Sequence, residues 1–169
     1  MYHHKLMEKY QLLNQIKEIL IKNNLTLSSA ESCTGGLVSS YLTDIDGASA
    51  FIFQNFVTYS NQAKEKFLNV SKETLEKYGA VSEQTAYEMS LGLLKYTTCS
   101  IATTGILGPT GGSKEKPVGL VYISLGYKNK IKVIKYISSK KQRYEIKVDI
   151  VEYALSQLLE FLKESTKEE

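Results

Sequence analysis

The sequence predicts an α/β protein, a three-layer α/β/α sandwich with a mixed β-sheet. Short β-like segments alternate with amphipathic helical segments, as in proteins whose sheet is covered by helices on both faces. Near the carboxyl end, two β-like runs flank a short turn at residues 127–130, and such a hairpin makes these strands antiparallel. The length of 169 residues fits a single domain over 1–169, with a core from about residue 5 to 163.

The amino-terminal half is predicted to contain two helices and two strands. In the first helix, Leu13, Ile16 and Leu20 recur at helical spacing on one face. The second strand carries large apolar residues on both faces, so we expect it to be central in the sheet. The predicted elements are a helix over 5–22, a strand over 25–30, a helix over 37–42 and a strand over 49–59.

The carboxyl-terminal half is predicted to hold further helices, three strands and a closing helix. Ser82 is a typical N-cap, with Glu83 in the first turn of the helix that it starts. The tail over 163–169 is expected to fray, as chain ends commonly do. The predicted elements are helices over 61–68 and 71–78, the helix after Ser82, strands over 100–103, 118–125 and 131–137, and a helix over 141–163.

Composition and charge bound the classes of function. A formal net charge of +3 is too small to argue for a nucleic-acid partner. No apolar run approaches the roughly 20 residues that span a bilayer, and the first residues lack a secretory pattern. Cys33 and Cys99 have no CxxC spacing and indicate reduced thiols. We therefore expect a cytoplasmic protein with no membrane partner.

Histidine is scarce, which constrains the chemistry. His3 and His4, at the amino end, are the only histidines, and we expect them to be solvated rather than bound to a metal. No metal and no cofactor are expected. General-base chemistry therefore has to fall to another residue type, unless the amino end folds back into a site.

A polar, glycine-rich segment over 29–36 lies between an apolar strand and an apolar helix. Ser32 would lie at a helix amino end, where unpaired N–H groups suit an oxyanion that develops beside a serine nucleophile. The alternative is a simple N-cap serine before a tight turn. Cys33 is a rival nucleophile, because a helix amino end lowers a thiol pKa, although a small buried filler is the other interpretation.

Lys64 is the candidate base. Tyr59 ends the long strand and Ser60 or Asn61 caps the next helix, which puts Lys64 in the first helical turn. The positive field at that position, together with burial, would lower its pKa and let it deprotonate a serine. The alternative is an exposed lysine paired with a nearby carboxylate.

A second glycine-rich loop, over 104–112, could bring backbone amides close to a ligand. Lys114 and Lys116 follow it and could attract phosphate. Arg143 is the only arginine, near the start of the last helix, where a guanidinium could clamp a phosphate or carboxylate. The alternatives are an irregular surface loop and a solvated surface arginine.

Taken together, these segments resemble the CinA carboxy-terminal domain family, the nicotinamide-nucleotide amidases also called PncC. They occur in the family's order and span residues 25–160. The matching segments are Ala30–Gly36, Val57–Asn61 with Lys64, Gly79–Glu83, Thr104–Ile106 with Gly108–Pro109 and Gly111–Gly112, Lys116–Gly119, and Arg143.

The resemblance implies hydrolysis of nicotinamide mononucleotide to nicotinate mononucleotide and ammonia, in pyridine nucleotide salvage. It also implies a serine–lysine mechanism without metal, and a homodimer. Carried over, Ser32 is the nucleophile, Lys64 is its base, and Tyr59 and Thr104 line the site and assist proton transfer. The expected substrate-binding residues are Glu31, Thr34, Gly35, Gly36, Gly105, Gly108, Gly111, Gly112 and Arg143.

The chain departs from the family pattern at three positions. Leu107 stands where alanine is usual, Thr110 where glycine is frequent, and Lys147 where a second arginine is common. The larger CinA proteins carry an additional amino-terminal domain, for which this chain is too short. Three alternatives to the amidase stay open: a catalytically silent nucleotide-binding module, a regulatory or interaction domain, and a serine hydrolase of another amide.

Overall fold

The computed structural model describes residues 2–167 and contains a five-stranded mixed sheet between two helical layers, which confirms the predicted sandwich. The helices and strands follow in the predicted order. Their bounds are α1 Tyr2–Lys22, β1 Leu27–Glu31, α2 Leu37–Leu42, β2 Ile52–Val57, α3 Asn61–Leu68, α4 Lys72–Tyr78, α5 Glu83–Leu93, β3 Cys99–Gly105, β4 Leu120–Tyr127, β5 Lys130–Ile137 and α6 Arg143–Lys167.

The sheet has the strand order β2-β1-β3-β4-β5. β1 runs parallel to both of its neighbours, β2 and β3, whereas β4 is antiparallel to β3 and β5 is antiparallel to β4. The predicted hairpin is therefore present. Because parallel strands end at the same edge of a sheet, the residues that follow β1, β2 and β3 come together there.

The prediction that the strand over 49–59 is central was wrong, because β2 is an edge strand. Phe53 is 62% exposed and Val57 is 53% exposed. The apolar residues of β2 are covered on one face, where Phe56 packs against the rings of Phe67 and Tyr96. A buried central strand is β3, which is built largely of small residues and is buried by its position.

Each face of the sheet has its own hydrophobic core. The larger core joins α1 and α6 to the sheet and includes the predicted Leu13, Ile16 and Leu20. The smaller core lies under α5 and includes Met89 and Leu93. Helix α6 continues to Lys167, and Ser165 within it is buried. The prediction of a frayed tail over 163–169 was therefore wrong for residues 163–167. The last two residues lie outside the described range.

Helix α3 rests directly on α5, without a side chain between them. A Cβ atom placed on Gly92 would overlap the backbone carbonyl of Leu68, the last residue of α3. Only glycine allows the two backbones to approach this closely. Lys64 lies one turn before Leu68 on the same helix.

In the described part of the chain, no helix is long and apolar enough to cross a bilayer. His4 is exposed, as predicted, and its side chain lies near Glu8; the side chain of His3 is outside the description. Within residues 2–167, no group of three or more histidine, cysteine, aspartate or glutamate side chains is arranged to hold a metal ion.

Candidate active site

Ser32 and Lys64 meet at the carboxyl end of the parallel strands. Ser32 directly follows β1, and Lys64 lies in the first turn of α3, which follows β2. Lys64 Nζ lies 2.9 Å from Ser32 Oγ. The lysine is 1% exposed and the serine 9% exposed, so the contact is shielded from solvent.

The remaining partners of the Lys64 amine are two backbone carbonyls. Nζ donates to the carbonyl oxygens of Thr58, at 2.9 Å, and of Tyr59, at 3.0 Å. A neutral amine has two N–H groups and one lone pair. The carbonyls can take both N–H groups, which leaves the lone pair for the Ser32 hydroxyl. All three partners are uncharged oxygens, so the alternative of a lysine paired with a carboxylate does not hold.

The local sequence explains how the lysine reaches this position. Ser60 is the N-cap of α3, and its hydroxyl accepts a hydrogen bond from the backbone N–H of Ala63 at 3.0 Å.

Burial lowers the pKa of the Lys64 amine to about 8, against a smaller opposing effect of Cys33. At pH 7 about one amine in ten is then neutral. This fraction can accept a proton from a neighbouring hydroxyl.

Cys33 lines the same cleft but has the opposite electrostatic environment. Burial and, to a smaller extent, the negative charge of Glu31 raise the pKa of its thiol to about 12. A thiol acts as a nucleophile in its thiolate form. The structure therefore favours Ser32 over Cys33, because the thiol stays protonated at neutral pH.

The pair opens into a cleft of about 290 Å³, close to the lower end of the range for small-molecule sites. Eight of the predicted site residues line it: Ser32, Tyr59, Lys64, Thr104, Gly105, Gly108, Gly111 and Arg143. Ala80, Val81 and Ile106 also line it, although the sequence analysis gave them no site role. Among the described residues, Lys64 and Arg143 are its charged side chains.

Arg143 connects two walls of the cleft. Its Nη1 donates to the carbonyl oxygen of Gly108 at 2.7 Å, and its Nη2 donates to the phenol oxygen of Tyr59 at 3.4 Å. Gly108 has a φ of +74°, and a Cβ atom there would overlap Val118. The glycine loop is thus held against the sheet on one side and by the guanidinium on the other.

Tyr59 and Thr104 line the cleft, and their predicted part in proton transfer stays a prediction. Tyr59 places its backbone carbonyl against Lys64, while its side chain is 60% exposed and its phenol faces Arg143. The Thr104 hydroxyl donates to the carbonyl oxygen of Ala80 at 2.8 Å. The proton of Thr104 is therefore already engaged, and it fixes the segment around Ala80 against β3.

A carboxylate of the protein itself binds two backbone amides in the first turn of α2. The Glu31 carboxylate is fully buried and accepts hydrogen bonds from the backbone N–H groups of Val38, at 2.7 Å, and Ser39, at 3.0 Å. Thr34 donates to the same carboxylate at 2.6 Å. These amides are unavailable to an oxyanion, and the Glu31 and Thr34 side chains lie outside the cleft.

The other predicted binding residues also lie away from the cleft. Gly35 and Gly36 border a separate depression beside Lys147, and the Gly35 N–H donates to the Ser32 carbonyl. Gly112 lies against Val118. Lys116 Nζ donates to the carbonyl oxygen of Tyr78 at 2.7 Å, and Lys114 is exposed.

Sequence reasoning missed the backbone carbonyl of Thr58 and the segment Ala80–Val81. A backbone carbonyl carries no residue signature, so nothing in the sequence marks Thr58 as a partner of the lysine. Ala80 and Val81 belong to one of the segments on which the family resemblance rests, which is the signal that could have placed them at the site.

The fold and the buried pair define an α/β protein with a candidate serine nucleophile and lysine base. The chain belongs to the CinA C-terminal domain family, whose model matches residues 9–162. The structure of the competence/damage inducible protein CihA from Agrobacterium tumefaciens superposes with a TM-score of 0.87 at 41% identity, covering 92% of this chain and 95% of that chain. A CinA superfamily protein from Escherichia coli gives a TM-score of 0.84 at 36% identity, covering 89% and 88% of the two chains.

The curated relatives are longer proteins. A CinA-like protein from Fusobacterium nucleatum is 49% identical over 158 residues, which are 94% of this chain and 37% of that protein. A CinA-like protein from Kosmotoga olearia is 46% identical over 142 residues, or 83% of this chain and 34% of that protein. The chain thus spans about a third of the length of these relatives.

Proposed function

We propose that this chain is an amidohydrolase that converts nicotinamide mononucleotide to nicotinate mononucleotide and ammonia. The observation that supports this reaction type is the 2.9 Å contact between Lys64 Nζ and Ser32 Oγ inside an open cleft. The choice of substrate follows the family resemblance. No cofactor and no metal enter the proposal, because the two side chains supply a nucleophile and a base.

In the first half of the reaction, neutral Lys64 accepts the Ser32 proton while Oγ attacks the carboxamide carbon. The tetrahedral intermediate collapses as the C–N bond breaks. Protonated Lys64 returns its proton to the departing nitrogen, which leaves as ammonia. The product of this half is an ester between Ser32 and the nicotinoyl group.

In the second half, water replaces ammonia. Lys64 accepts a proton from the water, whose oxygen attacks the ester carbonyl. The intermediate expels Ser32 Oγ, which takes the proton back from Lys64. The pair returns to its starting state, and the nicotinate carboxyl group gives its proton to solvent or to ammonia and leaves as the carboxylate. One lysine is thus base and acid in turn.

The groups that line the cleft suggest how substrate is held. Because Glu31 occupies the start of α2, we assign the oxyanion to the backbone of the glycine loop, where Leu107, Gly108 and Gly111 line the cleft. We assign the anionic phosphate to Arg143, the guanidinium at the same cleft. The exposed ring of Tyr59 is free to contact a pyridine ring.

The test is ammonia release from nicotinamide mononucleotide, measured beside nicotinamide and nicotinamide riboside. Turnover of the mononucleotide alone supports the proposal, including the role of the phosphate. Equal turnover of the riboside contradicts the phosphate assignment. Tight binding of the mononucleotide without ammonia release would identify a silent nucleotide-binding module instead.

We further propose a homodimer joined through the edge strand β2. The opposite edge, β5, carries Lys130, Lys132 and Lys135, a common protection against edge pairing, whereas β2 has no charged residue and exposes Phe53. Light scattering should give twice the chain mass, and Phe53→Lys should give the monomer mass with an unchanged circular dichroism spectrum. A monomeric wild type contradicts this proposal.

A further inference from the structure

We propose that Glu31 is a positioning residue: its buried carboxylate fixes the turn over residues 32–36 so that the Ser32 hydroxyl faces Lys64. The catalytic part of this inference rests on the proposed function. The sequence resemblance assigned Glu31 to substrate binding, but the side chain lies behind the cleft. Four observations support the positioning role.

The first observation is that both carboxylate oxygens are saturated by donors. Oε1 accepts from the Thr34 hydroxyl at 2.6 Å and from the Val38 N–H at 2.7 Å. Oε2 accepts from the Ser39 N–H at 3.0 Å and from the Ser39 hydroxyl at 2.8 Å. A carboxylate, which only accepts, matches four donors, whereas an amide or a protonated acid would set a donor against one of them.

The second observation is that this network extends into both neighbouring strands. The hydroxyl of Thr34 lies 2.8 Å from the Thr103 hydroxyl on β3. The hydroxyl of Ser39 lies 3.0 Å from that of Ser29, which donates to Asn55 on β2 at 2.7 Å. The turn after β1 is therefore hydrogen-bonded to β3, and on its other side the Ser29–Asn55 pair lies directly beside it.

The third observation concerns the backbone of the same residue. The Glu31 carbonyl accepts a hydrogen bond from the Thr58 N–H at 2.9 Å. The Thr58 carbonyl in turn accepts from Lys64 Nζ. Glu31 thus positions Ser32 through its side chain and Lys64 through its main chain. Both members of the pair are held by contacts of this one residue.

The fourth observation concerns Cys33. The Glu31 charge adds to burial in keeping the pKa of this thiol high. Thr103, which contacts Thr34, is also a hydrogen-bond partner of the Cys33 side chain. Cys33 therefore reports on the turn independently of any turnover.

The decisive variant is Glu31→Gln, which keeps the shape but places an NH₂ group against two donors. Displacement of a reacting group by about 1 Å can cost about 100-fold in rate. We expect kcat to fall on that order with KM within a few-fold, while the rise of the rate with pH keeps its apparent pKa near 8. The matched control is Glu18→Gln on an exposed position of α1, with kcat unchanged.

Alkylation of Cys33 by iodoacetamide, located by peptide mass, tests the same proposal without turnover. We expect a several-fold faster reaction in Glu31→Gln than in the wild type and in Glu18→Gln, because thiolate fraction and access both rise. Unchanged alkylation together with an unchanged kcat overturns the proposal. If the wild type releases no ammonia, the proposed function fails, and the alkylation rates alone decide the role of Glu31.

A second pair of variants covers a Glu31→Gln chain that does not fold. Thr34→Val removes one donor to the carboxylate at nearly constant volume, and Thr34→Ser keeps the hydroxyl. We expect the valine variant to shift kcat and Cys33 alkylation in the same directions by smaller factors, and the serine variant to restore both. Equal behaviour of the two variants contradicts the positioning role.

Discussion

Two buried ionisable side chains, Glu31 and Lys64, flank the nucleophile, and they have different kinds of hydrogen-bond partners. Glu31 is fully buried and meets four donors, so both of its carboxylate oxygens are hydrogen-bonded. Lys64 is equally buried but meets only uncharged oxygens, one of which belongs to Ser32. Burial therefore lowers the lysine pKa to about 8, within reach of the neutral form.

The difference shows how surroundings separate a structural charge from a reactive one. A buried carboxylate whose oxygens all meet donors is held in one place by those hydrogen bonds. A buried amine without a counter-charge gives up its proton more readily, and its freed lone pair can then accept a proton from Ser32, the one of its three partners that carries one. The same type of environment, a buried polar pocket at the sheet edge, thus gives a fixed anchor on one side of Ser32 and a base on the other.

The largest expected effect comes from removing the hydroxyl between them. Ser32→Ala should reduce ammonia release by at least about 10⁴-fold, because the nucleophile is lost while the fold remains. The measurement is initial rate of ammonia release, with circular dichroism as the control for folding. Near-normal turnover in this variant would show that the contact between Lys64 and Ser32 is structural. Lys64 would then be a structural group, as Glu31 is.

Removing the amine should have the next largest effect. Lys64→Met should lower kcat by about 10²- to 10⁴-fold, the usual contribution of a general base. In the wild type the rate should rise with pH and level off above about 8, because the deprotonated amine is the active form. This rise of the rate with pH should be missing in the methionine variant. If the rise persisted, the base would be another group.

The smallest expected effect is on stability. Because the pKa of folded Lys64 is lowered to about 8, the unfolded chain binds more protons between that pH and the ordinary lysine value of about 10.4. The lysine contribution to the free energy of unfolding should therefore rise with pH across this window, by at most about 1.4 kcal/mol per pH unit. Urea unfolding from pH 7 to 10 should show this rise in the wild type relative to Lys64→Met, and parallel curves would contradict it.

The fold was largely predictable because hydrophobic periodicity and turn residues are properties of short stretches of sequence. The order of helices and strands, the hairpin and the caps at Ser60 and Ser82 all appear in the structure. The position of β2 was not predictable from its apolar pattern. An edge strand that packs aromatic rings at the rim resembles a central strand, because both carry large apolar residues on each face.

The candidate site was predictable only in part. The pairing of Ser32 with Lys64 was implied by the family resemblance, and the structure brings the two side chains together. The occupation of the α2 amides by Glu31 was not foreseen, because a carboxylate beside a glycine-rich turn can serve a ligand or the backbone equally well. Which of these the Glu31 carboxylate binds depends on the path of the chain from 34 to 39, and this path cannot be seen in the sequence.

The missing side chain at Gly92 sets a limit on how this protein can be made more stable. Replacing a helical glycine by alanine is a routine stabilising change, worth about 1 kcal/mol in an exposed helix. Here the added methyl group would overlap the backbone carbonyl of Leu68, at the end of the helix that carries the base one turn earlier. Helix stability and catalytic alignment therefore compete at a position that no substrate touches.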